Sequence, residues 1–453
     1  MSTPYIILLV IVAVTLLLTL VLKFKLNAFI ALLITSIIVG IMAGMPLSVI
    51  ATTIEKGMGG TLGFVATVVG LGAIFGQMLE SSGGAKSLAN FLLKKFGTER
   101  ASWALMLTGF IIGIPVFFDV GFIILVPLVY ALTRDTKKSV LYYAIPLLAG
   151  LAVTHAMVPP TPGPMAVATI LGVDLGWVVL FGLIIGIPTA ILAGPVWGSF
   201  IAKKIDLPAP EQFITNDLEE RDELKRKPSF GVVALIIMLP LLLILMGTFV
   251  ELGVDKGVVK SSSLIDIIVF IGHPFTALII GTLFSIVLCL RMGLSARKIS
   301  DLSTKALGPA GIIILVTGAG GVLKQVLVDS GIGNILAESI AGSSVPLIFL
   351  AWSIAAVMRV TQGSATVAMI TAAGIMAPIL PQFDYSRAYY ALITVAIASG
   401  GTVLSHVNDS GFWIVGKYLG MNEKQTLKSW TVMETIIGVS GLAFAMLLSL
   451  FIK

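Results

Sequence analysis

Charge is scarce in this chain. Only 11% of its 453 residues are Asp, Glu, Lys or Arg, against about 25% in an ordinary soluble domain. That is too little polar surface to clothe a globule in water, which excludes a soluble core-and-surface design. Histidine is reduced to three residues and cysteine to Cys289, which sits in an apolar run. A disulfide framework and a Cys-based metal site are thereby excluded, and three histidines are a poor basis for a catalytic metal centre. No GxxxxGK[ST] phosphate loop and no HExxH occurs, so the sequence carries no ATP-driven engine, no zinc-hydrolase signature and no cofactor motif. The net charge of +6 does not signal nucleic acid. The basic residues are scattered in short clusters between apolar runs, where the positive-inside rule puts them.

What is present is apolar. Hydrophobic residues make up 57% of the chain, with 47 Gly and 20 Pro, and the mean hydropathy is +1.06. Gly and Pro are commoner in membrane helices than in soluble ones. A span needs about 20 apolar residues. Runs of that kind fall at 5–22, 26–44, 62–79, 177–201, 230–250, 264–290, 307–328 and 430–451. The first has no basic residue before it and no small-residue cleavage site after it, so it reads as a retained span rather than a signal peptide. The expected fold class is an all-α polytopic membrane protein.

Four further apolar stretches, 101–133, 139–176, 346–381 and 387–420, are too interrupted by Gly, Pro, Ser and Thr to be plain helices. The longest polar segment, 203–229, reads as a solvated cytoplasmic linker. It separates residues 1–202 from 230–453. At one constant offset Gly70, Gly72, Gln77, Ser82 and Gly83 fall on Gly318, Gly320, Gln325, Ser330 and Gly331. Each half runs in the same order: full spans, an interrupted hairpin near 101–133 or 346–381, a broken helix near 139–176 or 387–420, and a last span. Placing Lys23 and Lys25 in the cytoplasm sends most of the 29 basic residues to that side. Lys56, Lys256, Lys260, Arg387 and Lys453 are left outside, and Lys324 and Arg359 at membrane depth. The two halves are then inverted repeats with re-entrant hairpins, the arrangement in which many secondary transporters hold substrate near the midplane.

The chemistry is expected at the breaks, because non-helical backbone at membrane depth must be satisfied by protein or water and ionisable residues there are costly. In 113–121 Asp119 stands between Pro115 and Gly121, where a carboxylate can take a proton, bind a cation or cap a helix. In 154–164 four prolines stop the helix and leave a helix start that attracts anions. Thr154 and Thr161 can donate to substrate oxygens there, while His155 can relay protons or serve packing. In 359–366 Arg359 can grip a carboxylate bidentately or form an ion pair with Asp119 or Asp409, next to Gly363, Ser364 and Thr366. In 405–411 His406, Asn408, Asp409 and Ser410 offer donors, acceptors and a charge, or helix caps. Lys324 and Glu80 read as snorkelling side chains, Glu434 as a residue near the cytoplasmic start of the last span, and Trp103, Trp177, Trp352 and Trp430 as interfacial anchors.

These four segments resemble the gluconate permease (GntP) family of the ion transporter superfamily. The resemblance is carried by GIPVFFDVGF at 113–122, THAMVPPTPGP at 154–164, GSATVAMITAAG at 363–374, SHVNDSGFW at 405–413 and KQVLVDSG at 324–331, and it covers essentially the whole chain. It implies a scaffold and a mobile transport domain, import of gluconate or a similar hydroxy acid with protons, a homodimer and an elevator-like movement. Carried over, Asp119, Thr154, His155, Arg359, Gly363, Ser364, Thr366, Asn408 and Asp409 lie around the substrate. Coupling through Asp119, His155, His406 and Asp409 is the accompanying expectation, with substrate contacts from Thr161 and Ser410 as well. The pattern departs at two positions: gluconate-type members carry Glu where Asp119 stands and His where Thr161 stands. Glycerate, fructuronate and D-serine therefore stay open as substrates. So do sodium coupling, a channel and a membrane enzyme, although an enzyme would cluster its residues near one interface.

Overall fold

The computed structural model describes residues 3–210, 227–332, 335 and 345–452. The expected linker at 203–229 lies partly outside them. Among the described residues there is no strand, and eight helices, a broken helix counting once, are long and apolar enough to cross a membrane.

The first half contains α1 (Thr3–Leu22), α2 (Ala28–Met42), α3 (Leu47–Ser81), α4 (Gly84–Phe96), α5 (Ala101–Ile112), α6 (Phe118–Thr136), α7 (Val140–Met157), α8 (Pro162–Leu171), α9 (Leu175–Ile191) and α10 (Trp197–Lys204). The second contains α11 (Phe230–Asp255), α12 (Ser263–Gly272), α13 (Pro274–Met292), α14 (Ala296–Asp329), α15 (Leu347–Gln362), α16 (Ala365–Met376), α17 (Arg387–Gly400), α18 (Ser410–Tyr418), α19 (Glu423–Thr426) and α20 (Val432–Ser449). Two π-helical turns, Leu192–Val196 and Leu427–Thr431, run straight into α10 and α20. The run expected at 264–290 is split at His273–Pro274, because Pro274 cannot continue a helix and instead opens α13. The run expected at 62–79 is longer than its apolar window, since Leu47–Ser81 stays helical through its polar first turns.

Two groups of helices share the molecule. In one, the long helices α3 and α14 pack along each other, and the packing is reciprocal: α3 also meets α13, and α14 also meets α2. Across that seam Thr53 Oγ1 donates to Asp329 Oδ2 (2.9 Å). In the other group α7 packs on α5, α6 and α9, while α17 packs on α15, α9 and α20. Helices α8 and α16 join the groups, since each meets α14, and they also meet each other. Lys324 does not snorkel: its Nζ reaches across from α14 and donates to the Ile170 carbonyl in the last turn of α8 (2.5 Å), a cation at a helix C-terminus, where the dipole favours it.

Lipid tails are as apolar as leucine, so helices associate in a membrane through close packing of small residues. The α5–α7 contact is built that way. A Cβ added to Gly150 on α7 would lie 2.6 Å from the Phe110 backbone nitrogen on α5. Backbone cannot move aside as a flexible side chain can. The G150V variant is expected to lose at least about 1–3 kcal/mol of stability, read as a lower melting temperature of detergent-purified protein. An unchanged melting temperature would show that the two helices are not in contact.

Candidate functional site

The four interrupted stretches appear as four pairs of helices with their breaks turned toward one another. α5 stops at Ile112 and α6 starts at Phe118, placing Asp119 in its first turn. α7 stops at Met157 and α8 starts at Pro162. α15 ends on Gly363, left-handed at φ +79°, and Ser364 caps α16 by accepting from the Val367 N–H (3.4 Å). α17 ends at Gly400, and Asp409 caps α18 by accepting from the Gly411 N–H (3.3 Å).

A cavity of about 460 Å³ lies between these breaks. The first turns of four helices line it: Phe118 and Asp119 of α6, Gly163 of α8, Ala365 and Thr366 of α16, and Ser410 and Gly411 of α18. Each helix start carries free N–H groups and the positive end of a dipole, which is worth about 0.3–1 kcal/mol toward an anion. At α8 only Gly163 contributes such an N–H, because Pro162 and Pro164 have none. The one cation of the lining is Arg359, which is 3% exposed.

Arg359 organises the second-half breaks. Its Nη2 lies 2.6 Å from Asp409 Oδ2, and its Nη1 donates to the Gly363 carbonyl. Ser405 Oγ donates to the same Asp409 oxygen, and Trp430 Nε1 donates to Ser405 Oγ (2.7 Å). Asn408 Nδ2 donates to the Val360 carbonyl (3.0 Å), and His406 Nε2 lies 2.9 Å from that same oxygen. The segment 405–409 is thereby clasped to the last turn of α15, where helix carbonyls lack helical partners.

Of the residues expected from sequence, Asp119, His155, Arg359, Gly363, Ser364, Thr366, Asn408, Asp409 and Ser410 all line the cavity. Thr154, Thr161 and His406 do not. The Thr154 hydroxyl donates to the Gly150 carbonyl of its own helix (3.0 Å) and the Thr161 hydroxyl to the Val158 carbonyl (2.8 Å). His406 is engaged with α15. Four lining residues with polar groups were not assigned to the site from sequence: Gln362, Thr402, Trp430 and Glu434. Trp430 is 3% exposed and so is no interfacial anchor. Gln362 has both amide atoms buried without a hydrogen-bond partner, as does His155 at Nδ1. An unmade buried hydrogen bond costs about 1–3 kcal/mol, so these groups are suited to a polar partner in the cavity. Gln362 was legible as the polar residue beside the Gly363 break; Thr402, Trp430 and Glu434 had no such signal.

A second cavity, of about 470 Å³, lies among α9, α11, α12 and α13, and Asp174, Glu251, His273 and Arg387 are in its lining. Its lining includes none of the candidate site residues at the four breaks, and Arg387 is paired with Asp255 (3.2 Å). Among the described residues no three His, Cys, Asp or Glu side chains converge as a metal site.

A multi-pass helical protein with broken helices meeting at a buried polar cavity belongs to the class of membrane transporters. Solved transporters share the fold. The Neisseria gonorrhoeae MtrF structure, from a class described as antimetabolite efflux pumps, superimposes with a TM-score of 0.65 over 94% of this chain and 96% of its own, at 13% identity. The YdaH transporter of Alcanivorax borkumensis gives 0.57 over 86% of each chain, at 14% identity.

Within that class the chain belongs to the GntP permease family, whose model matches residues 5–451. It is 43% identical to a low-affinity gluconate transporter of Escherichia coli K12 over 99% of both chains. Identity is 38% to a gluconate permease of Bacillus subtilis 168, over 94% of this chain and 95% of that one. Against an L-idonate transporter of the Gnt-II system of E. coli K12 it is 36%, over 92% of each. The protein is therefore a multi-pass transporter of the bacterial cytoplasmic membrane and not an enzyme.

Proposed function

We propose that the protein imports a six-carbon sugar acid of the gluconate type together with protons. One observation carries the reading: four helix starts and the buried Arg359 converge on a single cavity, which is a site for a carboxylate. Hydroxyl groups on the rest of the ligand suit the other lining groups. Ser364, Thr366, Asn408 and Ser410 both donate and accept, and the Gln362 amide has no partner of its own. The volume lies within the usual range for small-molecule sites. The relatives named for gluconate and L-idonate support this substrate class over glycerate or D-serine. Of the two departures from the gluconate pattern, Thr161 stands outside the cavity lining, which leaves Asp119 as the one that touches ligand space.

Proton coupling is supported by charge. Asp119, Asp409 and Glu434 line the cavity against Arg359 alone, and a substrate carboxylate adds a further negative charge. Burying that excess is costly, and a bound proton relieves it. The reciprocal packing of α3 with α13 and of α14 with α2 supports two inverted repeats, with residues 1–202 forming the first and 230–453 the second. In this reading α8 and α16, which both pack on α14, slide against the α3–α14 pair in an elevator movement. A homodimer completes the reading.

The test is uptake of labelled gluconate into proteoliposomes under an inward proton gradient in sodium-free buffer, with and without a protonophore, and separately under an inward sodium gradient. Saturable accumulation that collapses with the protonophore is expected. Accumulation that needs an inward sodium gradient instead would replace proton coupling with sodium coupling, and non-saturable flux would point to a channel.

A further inference from the structure

We infer that Glu434, on the last membrane helix, is the carboxylate that binds and releases the transported proton. The inference rests on the symport reading above. Three carboxylates line the cavity, and they differ in what holds them. Asp409 is compensated three times over: Arg359 lies 2.6 Å from it, Ser405 donates to it, and it accepts the Gly411 N–H. Asp119 sits in the first turn of α6, where the preceding residues 113–117 are not α-helical and the free N–H groups favour a negative charge.

Glu434 has neither kind of support. It also lies in a first turn, but α20 continues out of the π-helical turn Leu427–Thr431, and Thr431 ahead of it is itself helical (φ −60°, ψ −37°). Its own helix therefore has no open start beside it. It is 4% exposed and in the wall of the cavity, and among the described residues no hydrogen bond or ion pair to its carboxylate is formed. The nearby charges acting on it are Arg359 and Asp409, which are of opposite sign and paired with each other (2.6 Å). Asp119 from α6 and the His155 imidazole from α7 share the same cavity. Among the described residues, no Lys or Arg other than Arg359 is in the cavity lining.

The π-turn gives the position its geometry. Such turns are rare and, where they occur, are frequent at functional sites. This one places Trp430 against Ser405 (2.7 Å) and lets Thr431 donate to the Ser405 carbonyl. The last helix is thereby tied to the segment that carries Asp409, and the Ser429 carbonyl within the turn is taken up by Trp197 Nε1 from the first half (3.1 Å). A carboxylate fixed in this way can exchange its proton only through the cavity, where the substrate also enters. When the cavity faces outward, Glu434 takes a proton from external water. When the cavity faces inward, it gives that proton to the cytoplasm.

The experiment compares wild type, E434Q and E434D in proteoliposomes, by proton-driven accumulation and by gluconate exchange without a gradient. Glutamine mimics the protonated acid and cannot release a proton. E434Q is expected to retain measurable exchange, while its proton-driven accumulation falls about 10- to 100-fold relative to that exchange. E434D, which also serves if E434Q does not fold, is expected to keep accumulation with a displaced pH profile. Full accumulation by E434Q, an unmoved profile for E434D, or loss of exchange in folded E434Q would each overturn the assignment. Absence of proton-driven accumulation in wild type would instead overturn the symport reading on which it rests.

Discussion

Replacing Arg359 with glutamine is expected to reduce gluconate uptake about 100-fold or more. The size follows from what the guanidinium holds. It is 3% exposed and lies 2.6 Å from Asp409, which ties α15 to the start of α18, and it also donates to the Gly363 carbonyl at the α15–α16 break. Removing one partner of a buried ion pair costs about 3–5 kcal/mol, because the other charge is left uncompensated. Every 1.4 kcal/mol is tenfold in a binding constant. Lysine is not expected to rescue the loss, since an ammonium cannot span both acceptors as a planar fork does. The measurement is initial uptake rate at matched membrane expression, together with the melting temperature. Uptake within about twofold of wild type, well short of the tenfold that 1.4 kcal/mol represents, would remove Arg359 from the site.

The second large effect is expected at Gly363. Its φ of +79° lies in the left-handed region, where an L side chain costs about 1–2 kcal/mol. A Cβ there would also stand 2.7 Å from the Asn408 carbonyl carbon and 2.8 Å from its side-chain Cγ. Asn408 is the residue that donates to Val360 (3.0 Å), so making room for the methyl group opens the clasp between 405–409 and α15. G363A is expected to abolish uptake while the protein still inserts. G44A is the control: Gly44 has a φ of +77° with nothing within 4 Å, so it bears the conformational cost alone and should transport. Equal uptake by the two variants would mean that the clasp is not needed.

The breaks were legible in the sequence because proline and glycine write them directly. Pro115, the run Pro159–Pro164 and Gly363 each mark a point where a helix cannot continue, and Asp119, Gln362 and Ser364 near two of these points line the cavity. Thr154 and Thr161 lie at those same breaks but turn their hydroxyls back onto local carbonyls. Composition cannot tell a hydroxyl that serves its own helix from one that serves a ligand. Glu434 shows the opposite case. It stands in an uninterrupted helix near a span end, where a charged residue ordinarily meets water, and only tertiary packing reveals it as buried. The π-turn before it has no proline or glycine to announce it. Lys324 was hidden for a related reason: its partner is a backbone carbonyl on another helix (2.5 Å), and no side-chain pattern predicts that.

The central claim is that the substrate occupies the cavity between the four breaks, and site-directed thiol protection tests it most directly. The background is clean, because Cys289 is the only cysteine and is fully buried. In the S410C variant a new thiol stands at the start of α18 in the cavity wall, and in V269C it stands in the second cavity. With gluconate at about ten times its Kd, labelling of S410C by a water-soluble maleimide should slow about tenfold, as occupancy requires. Labelling of V269C should not change. Unprotected S410C in a variant that still transports, or protection at position 269 alone, would contradict the account and move the substrate elsewhere.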